Sequence, residues 1–64
     1  MSYSKLTNRE NEVFSLLMEG YISKEIASKL NISVNTVSNH RASILRKFSA
    51  HNTMEAVAKA QING

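Results

Sequence analysis

SKEIASKLNISVNTVSNHRASILR, residues 23–46, carries two helical patterns separated by a turn too short to leave the helices parallel. Ile26, Ala27 and Leu30 fall at i, i+1 and i+4, one buried face of a short helix, and Ser23 stands where a side-chain oxygen caps a helix start. Asn31 is placed to stop that helix, since Asn tolerates the left-handed conformation better than other non-glycine residues. Ile32 plugs the core from the turn, and Ser33 is the next N-cap. From Val37 the apolar positions Ile44, Leu45 and Phe48 follow at 7, 8 and 11 residues, a helical period. Ala27 is small where the two helices cross, so a larger side chain there forces them apart.

The flanks extend the pattern to four helices. Thr7 and Glu10 form a T-x-x-E capping box for a first helix from Asn8 to Glu19, with Val13, Leu16 and Leu17 as its inner stripe and Gly20 to close it. The second helix is expected from Lys24 to Leu30 and the third from Val34 to about Phe48. The fourth runs from Thr53 to about Ile62, started by Asn52 with Glu55 three residues later. Residues 1–5 read as a flexible lead-in to one domain spanning residues 6–64. The 64 residues contain no proline and only two glycines, at 20 and 64, so no helix interior carries a breaker and an all-α fold follows. A core of this size only just outweighs chain entropy, and no cysteine staples it. No apolar run approaches a membrane span and no signal-peptide pattern is visible, so a cytoplasmic location is expected and no membrane partner.

Charge is informative by position. The chain is formally +3, yet from Ile26 to Met54 Lys29, Arg41, Arg46 and Lys47 stand without a single acid, and the remainder is net acidic. The positive field is therefore concentrated on and around the third helix, where a phosphate backbone would be met. Turned at about 100° per residue, that helix buries Val37, Ile44 and Phe48, with Leu45 and His40 at the flanks. Asn35, Asn39, Ala42, Ser43 and Arg46 point the opposite way, with Ser38 at the border. Small polar side chains let a helix settle deep in the major groove, where Asn bonds adenine through a paired donor and acceptor and Ala touches a thymine methyl.

With LTNRENEV ahead of the turn, and Asn52, Glu55, Ala56 and Val57 behind it, the chain resembles the LuxR/FixJ-type helix-turn-helix domain, the DNA-binding effector module of many bacterial response regulators and quorum-sensing regulators. LTxRExEV, KEIAxxL, ISxxTVxxH and ILxKF stand in order and at family spacing. The resemblance implies base reading by Ser38, Asn39 and Ala42. It implies backbone contacts from Lys24, Asn35, Thr36, His40, Arg46 and Lys47.

The fourth helix has an apolar arc wider than one core requires, and in the resembled family it makes the dimer contact. Homodimerisation through Ala56, Val57, Ala60 and Gln61 is expected, which would set two reading helices on a near-palindromic site. Double-stranded DNA and a second copy are the expected partners, with RNA polymerase a further candidate.

The sequence departs from the family in four places. Ser38 replaces a common Lys or Arg, which implies modest specificity, and Ser49 replaces the glycine usual after the third helix. Thr53 replaces a common Arg expected to pair with an acid of the first helix. Arg41 stands where the family is often apolar and, by periodicity, projects inward beside Val37 and Ile44, its head escaping to a phosphate or an acid.

No other chemistry emerges. His40 and His51, with no cysteine or aspartate in the chain, give no metal-ligand spacing. Glu10 and Glu12 cannot share a helix face, and no nucleophile has a base at useful spacing, so neither an enzyme nor a cofactor is expected. Tyr3 and Tyr21 lack the basic groove of a single-strand binder and are read as packed or exposed. Two alternatives to the regulator stand. Region 4 of a sigma factor has a similar E-I-A-x-x-L and T-V pattern, although LTNRENEV and the fourth helix argue against it. A protein-interaction module retaining the fold is the other, hinted at by the uncharged Ser38 and opposed by the basic bias.

Overall fold

Each helix begins where a side chain satisfies backbone N–H groups that have no partner inside the helix. The computed structural model describes Tyr3 and residues 5–63, with helices α1 (Asn8–Met18), α2 (Ser23–Leu30), α3 (Val34–Lys47) and α4 (Thr53–Asn63) and no strand among the described residues. At α1 the capping box forms in full: Thr7 Oγ1 accepts the Glu10 N–H at 3.1 Å and Glu10 Oε1 accepts the Thr7 N–H at 2.9 Å. Ser33 Oγ accepts the Thr36 N–H at 3.0 Å and Asn52 Oδ1 accepts the Glu55 N–H at 2.8 Å, as their positions predict. At α2 the cap is Ile22, one residue earlier than Ser23, because Glu25 reaches back to accept the Ile22 N–H at 2.9 Å.

Three helix ends share one stop. The residue one past the last helical turn has positive φ, its N–H bonds back three residues and the following N–H bonds back five, the Schellman arrangement. Gly20 (φ 99), Asn31 (φ 57) and Ser49 (φ 54) hold this position after α1, α2 and α3. Ser49 adopts it without glycine's freedom, so this junction carries strain that the other two avoid. The stops also set the helix ends, with Glu19 and Phe48 acting as caps just outside α1 and α3.

The core is Leu6, Val13, Phe14, Ile26, Ala27, Val37, Ile44, Ala56 and Ala60, with Leu16, Leu17, Leu30, Ile32, Leu45 and Phe48 packed around it. The α1 stripe is rotated from the expected one. Glu10, Val13 and Phe14 are its buried residues, while Leu16 and Leu17 are half-buried. An acid at position 10 disguised the i, i+3, i+4 spacing of that face.

Of the expected lead-in, Tyr3 is packed against the domain, while Met1, Ser2 and Ser4 lie outside the described residues. The Tyr3 ring packs edge-on against Phe14 and Phe48 at centroid distances of 5.5 and 5.8 Å. Asn11 fixes it by accepting the Tyr3 N–H at 2.8 Å and donating to the Tyr3 carbonyl at 3.3 Å. Three rings in mutual contact offset the entropy of ordering the Tyr3 side chain.

The fourth helix also requires a correction. Ala56 and Ala60 are fully buried inside this protomer and cannot form the dimer surface assigned to them. Val57 is half-buried and Gln61 exposed, whereas Met54 and Ile62 stand 84% and 82% exposed. The arc judged too wide for one core is in fact two faces, with Ala56 and Ala60 inward and Met54, Ala58 and Ile62 outward.

Ser49→Gly is expected to stabilise the domain by up to about 1 kcal/mol, the relief of a left-handed non-glycine residue less glycine's added unfolded-state entropy. Gly20→Ala is expected to destabilise it even though nothing lies within 4 Å of the added methyl, because φ is +99. Urea midpoints at constant m-value check both.

Candidate nucleic-acid interface

The exposed side of α3 presents Asn35, Ser38, Asn39, Ala42 and Arg46 together. Ser38, Asn39 and Ala42, the expected base readers, are all exposed and carry no charge that would need burial without a partner. Thr36 and His40 are half-buried at one border, and Thr36 Oγ1 lies 2.8 Å from Ser33 Oγ. Lys24 is exposed in the first turn of α2. The small side chains leave the α3 backbone open to close approach by a groove wall.

The cations of the acid-free segment are not equivalent. Lys29 lies over the Tyr21 ring at 4.7 Å from its centroid. Arg41 does not project inward: it is exposed, and its Nε–H donates to Thr53 Oγ1 at 2.9 Å. The hydroxyl at the start of α4 offers the guanidinium an acceptor while leaving it in water, which burial beside Val37 would not. Among the described residues Arg46 bonds along its own helix, donating from Nη2 to Ser43 Oγ at 3.3 Å.

Lys47, an expected backbone contact, is engaged by an acid of α1. Its Nζ lies 2.6 Å from Glu10 Oε1, with side-chain exposures of 30% for Lys47 and 7% for Glu10. Removing one partner of a buried ion pair costs about 3 to 5 kcal/mol in the fully enclosed limit. An exposed pair such as a wet phosphate contact contributes at most about 1 kcal/mol. The part-buried Lys47–Glu10 pair lies between these two limits.

Glu10 is therefore the electrostatic hub of the domain. Burial pushes its carboxyl up, but Lys47, the Thr7 N–H and the Ser43 hydroxyl together outweigh burial and hold it at about 2, below the ordinary 4.5. Glu10 of the first helix thus takes its cation from α3. The signal lay in the sequence as spacing: Glu10 shares a face with Val13 and Phe14, and Lys47 stands three residues past the buried Ile44.

On the far side of α3, Glu55 is lowered by His51, whose Nδ1 lies 3.2 Å away, with Lys59 at 3.6 Å. A shallow open hollow of about 340 Å³ is lined by Leu17, Gly20, Tyr21, Ile22, Ser23, Arg41 and Thr53, none of them an expected base reader. Among the described residues no group of three His, Cys, Asp or Glu is placed to hold a metal ion, and no helix is long and apolar enough to cross a membrane.

A short second helix, a left-handed asparagine turn and a third helix with a small polar outer face make a helix-turn-helix. Residues 4–60 match the family described as bacterial regulatory proteins, luxR family. The chain belongs to this family. It is a luxR-type helix-turn-helix DNA-binding domain. Its relatives include the uncharacterized response regulatory protein YgeK of Escherichia coli (strain K12), 41% identical over 92% of this chain and 40% of the relative. The tetrathionate response regulatory protein TtrR of Salmonella typhimurium is 37% identical over 92% of this chain and 29% of its own length. The transcriptional regulatory protein DesR of Bacillus subtilis is 41% identical over 92% of this chain and 30% of its own length. The chain thus spans well under half the length of these curated relatives.

Acid sensitivity follows from Glu10. Its folded pKa, about 2, lies below the ordinary 4.5, so its contribution is complete above pH 4.5 and is lost as pH falls toward 2. Chemical denaturation from pH 7 to pH 2 is expected to show that loss, and Glu10→Gln is expected to start less stable with a flatter acid limb.

Proposed function

We propose that the domain reads double-stranded DNA in the major groove with α3, acting as the DNA-contacting part of a bacterial transcription regulator. The observation that carries this reading is the exposed α3 face: small uncharged side chains at 35, 38, 39 and 42, flanked by Arg46, with no acid from Ile26 to Met54. Ser38, Asn39 and Ala42 contact bases. Lys24, Asn35, Thr36, His40 and Arg46 contact the sugar-phosphate backbone and set the register. Lys47 is left out of this set because its ammonium is held by Glu10. The relatives are named as regulatory proteins, two of them as response regulators, and regulation of transcription in answer to a signal is the output we assign to the protein that carries this domain. DNA of that kind is met in the cytoplasm, where RNA polymerase is a further partner of the reading.

The domain pairs with a second copy through the outer face of α4. Met54, Ala58, Gln61 and Ile62 fall at i, i+4, i+7 and i+8 and are all exposed, with Val57 at the edge. This stripe takes the place of the buried alanines as the contact between copies. Two-fold pairing sets two α3 helices on an inverted repeat. The family match spans the opening LTNRENEV and most of α4, which favours the regulator over a sigma-factor region.

Selection of bound duplexes from a randomised pool at about 0.15 M salt, where purely electrostatic binding is weakened, tests the reading. An inverted repeat is expected; no enrichment over input would remove base reading and leave a protein-interaction module. Asn39→Ala is expected to change preference at one base pair by about 1 to 3 kcal/mol, while Arg46→Ala weakens all sequences alike and lowers the salt slope by about 1. Ile62→Asp is expected to abolish coupling between half-sites in sedimentation of the DNA complex while sparing affinity for a single half-site.

A further inference from the structure

We propose that Arg41 is a further DNA-backbone contact: held by Thr53 on the flank of α3 opposite Thr36 and His40, its guanidinium meets phosphates of the second strand bordering the major groove, beside Lys24. The inference rests on the DNA-reading assignment above and extends it to the groove wall that the α3 contacts assigned there leave unaddressed.

The dimensions of helix and groove set the requirement. A helix with its side chains is about 10 to 12 Å across and the major groove is about 12 Å wide, so a seated helix meets both strands. Asn39, Ala42 and Arg46 stay within about 40° of Asn35 around the axis, on the face that enters the groove. Thr36 and His40 lie about 100° and 140° round from Asn35 in one sense. Arg41 lies about 120° round in the other, sharing its flank with Val34 and Leu45. Neither aliphatic side chain can bond a phosphate, and Ser38 stands nearer the base-reading face. Arg41 is the one charged side chain that α3 offers to that strand.

Its surroundings suit the task. Arg41 is exposed, and its Nε–H donates to Thr53 Oγ1 at 2.9 Å. That bond uses one of the five N–H donors of a guanidinium, and among the described residues Arg41 forms no ion pair. The remaining planar fork matches two phosphate oxygens at once. Thr53 is the first residue of α4, so the bond ties a long side chain to a second helix and leaves less freedom to lose when a phosphate arrives. Arg41 and Thr53 border the hollow of about 340 Å³ that Ser23 also lines, and Lys24, the next residue, is exposed. One strand is thus addressed from two helices, by Lys24 of α2 and Arg41 of α3. Glu25, the acid next to Lys24, is turned back on the Ile22 N–H at 2.9 Å and pairs with neither cation among the described residues.

The test is the salt dependence of binding to a fixed duplex of arbitrary sequence, read by fluorescence anisotropy from about 0.05 to 0.2 M salt. Arg41→Ala is expected to lower the slope by about 0.9 for each bound protomer, the loss of one phosphate contact, with the free domain still folded by circular dichroism. Arg41→Lys keeps the charge and is expected to keep the slope while binding more weakly. Thr53→Val is expected to weaken binding several-fold in the wild-type background and to have no further effect beside Arg41→Ala; an equal effect in both backgrounds overturns the positioning by Thr53. An unchanged slope in Arg41→Ala overturns the contact, and loss of coupling between half-sites at that unchanged slope would give Arg41 to the contact between copies instead. Should Arg41→Ala not fold, the Arg41 ¹⁵Nε resonance of the wild-type protein is followed: a shift on adding DNA is expected, and no change overturns the inference. On a duplex enriched by the selection above, ethylation of single phosphates is expected to lose its effect on one strand in Arg41→Ala and on the other in His40→Gln. Loss on the same strand overturns the assignment to a second wall. Wild-type protein that binds no duplex at the lowest salt overturns the DNA-reading assignment and this inference with it, whereas binding with a slope independent of Arg41 overturns this inference alone.

Discussion

A carboxylate sits where this small domain would be expected to pack an aliphatic side chain. Glu10 occupies the inner face of α1 beside Val13 and Phe14, and three demands converge on it. It closes the capping box that starts α1, it takes the ammonium of Lys47 and it is supported by a hydroxyl of α3. An apolar residue there would add burial but leave the Thr7 N–H and Lys47 without partners. The acid instead ties the first helix to α3 by a directed bond, which constrains the rotation of α3 about its axis. That rotation decides which side chains face outward.

Around this tie the remaining architecture is economical. Val13, Phe14, Ile26, Val37 and Ile44 are the large side chains removed from water, and the rings of Tyr3 and Phe48 close over Phe14. Small cores leave little margin, so helix ends matter in proportion. Three successive helices stop in the same way, with glycine, asparagine and serine in the left-handed position. The first two residues suit that conformation and the third does not. The strain falls at the junction between the reading helix and α4.

Much of this was legible because it rests on local periodicity and capping chemistry. Thr7, Ser33 and Asn52 announce helix starts by residue type, Asn31 announces the turn, and Ile26, Ala27, Val37 and Ile44 announce the faces that meet. The outer face of α3 was legible for the same reason. What escaped depends on contacts between residues distant in sequence. Spacing sets Lys47 on the Ile44 side of α3 and Arg46 on the other, but only the fold brings Glu10 beside the lysine. Arg41 was assigned by period to the interior, but at the flank of a buried face a long side chain follows the nearest acceptor, here Thr53. Ala56 and Ala60 were taken for a surface because methyl groups carry little signal about which side they face. Tyr3 was set aside with a terminus, although Asn11 holds it.

The way α4 is attached has a consequence for geometry beyond the domain. Its fully buried contribution is two alanines, and its placement against α3 is completed by polar bonds, from Lys59 to the Ser49 carbonyl at 2.6 Å and from Arg41 to Thr53 at 2.9 Å. A helix seated by two alanines, a half-buried Val57 and a pair of long flexible cations pivots more easily than one locked by interdigitated Leu or Phe. Should two copies pair through α4 as proposed, a helix seated this lightly would let the separation of their α3 helices adjust, and with it the spacing of the DNA half-sites that the pair could span.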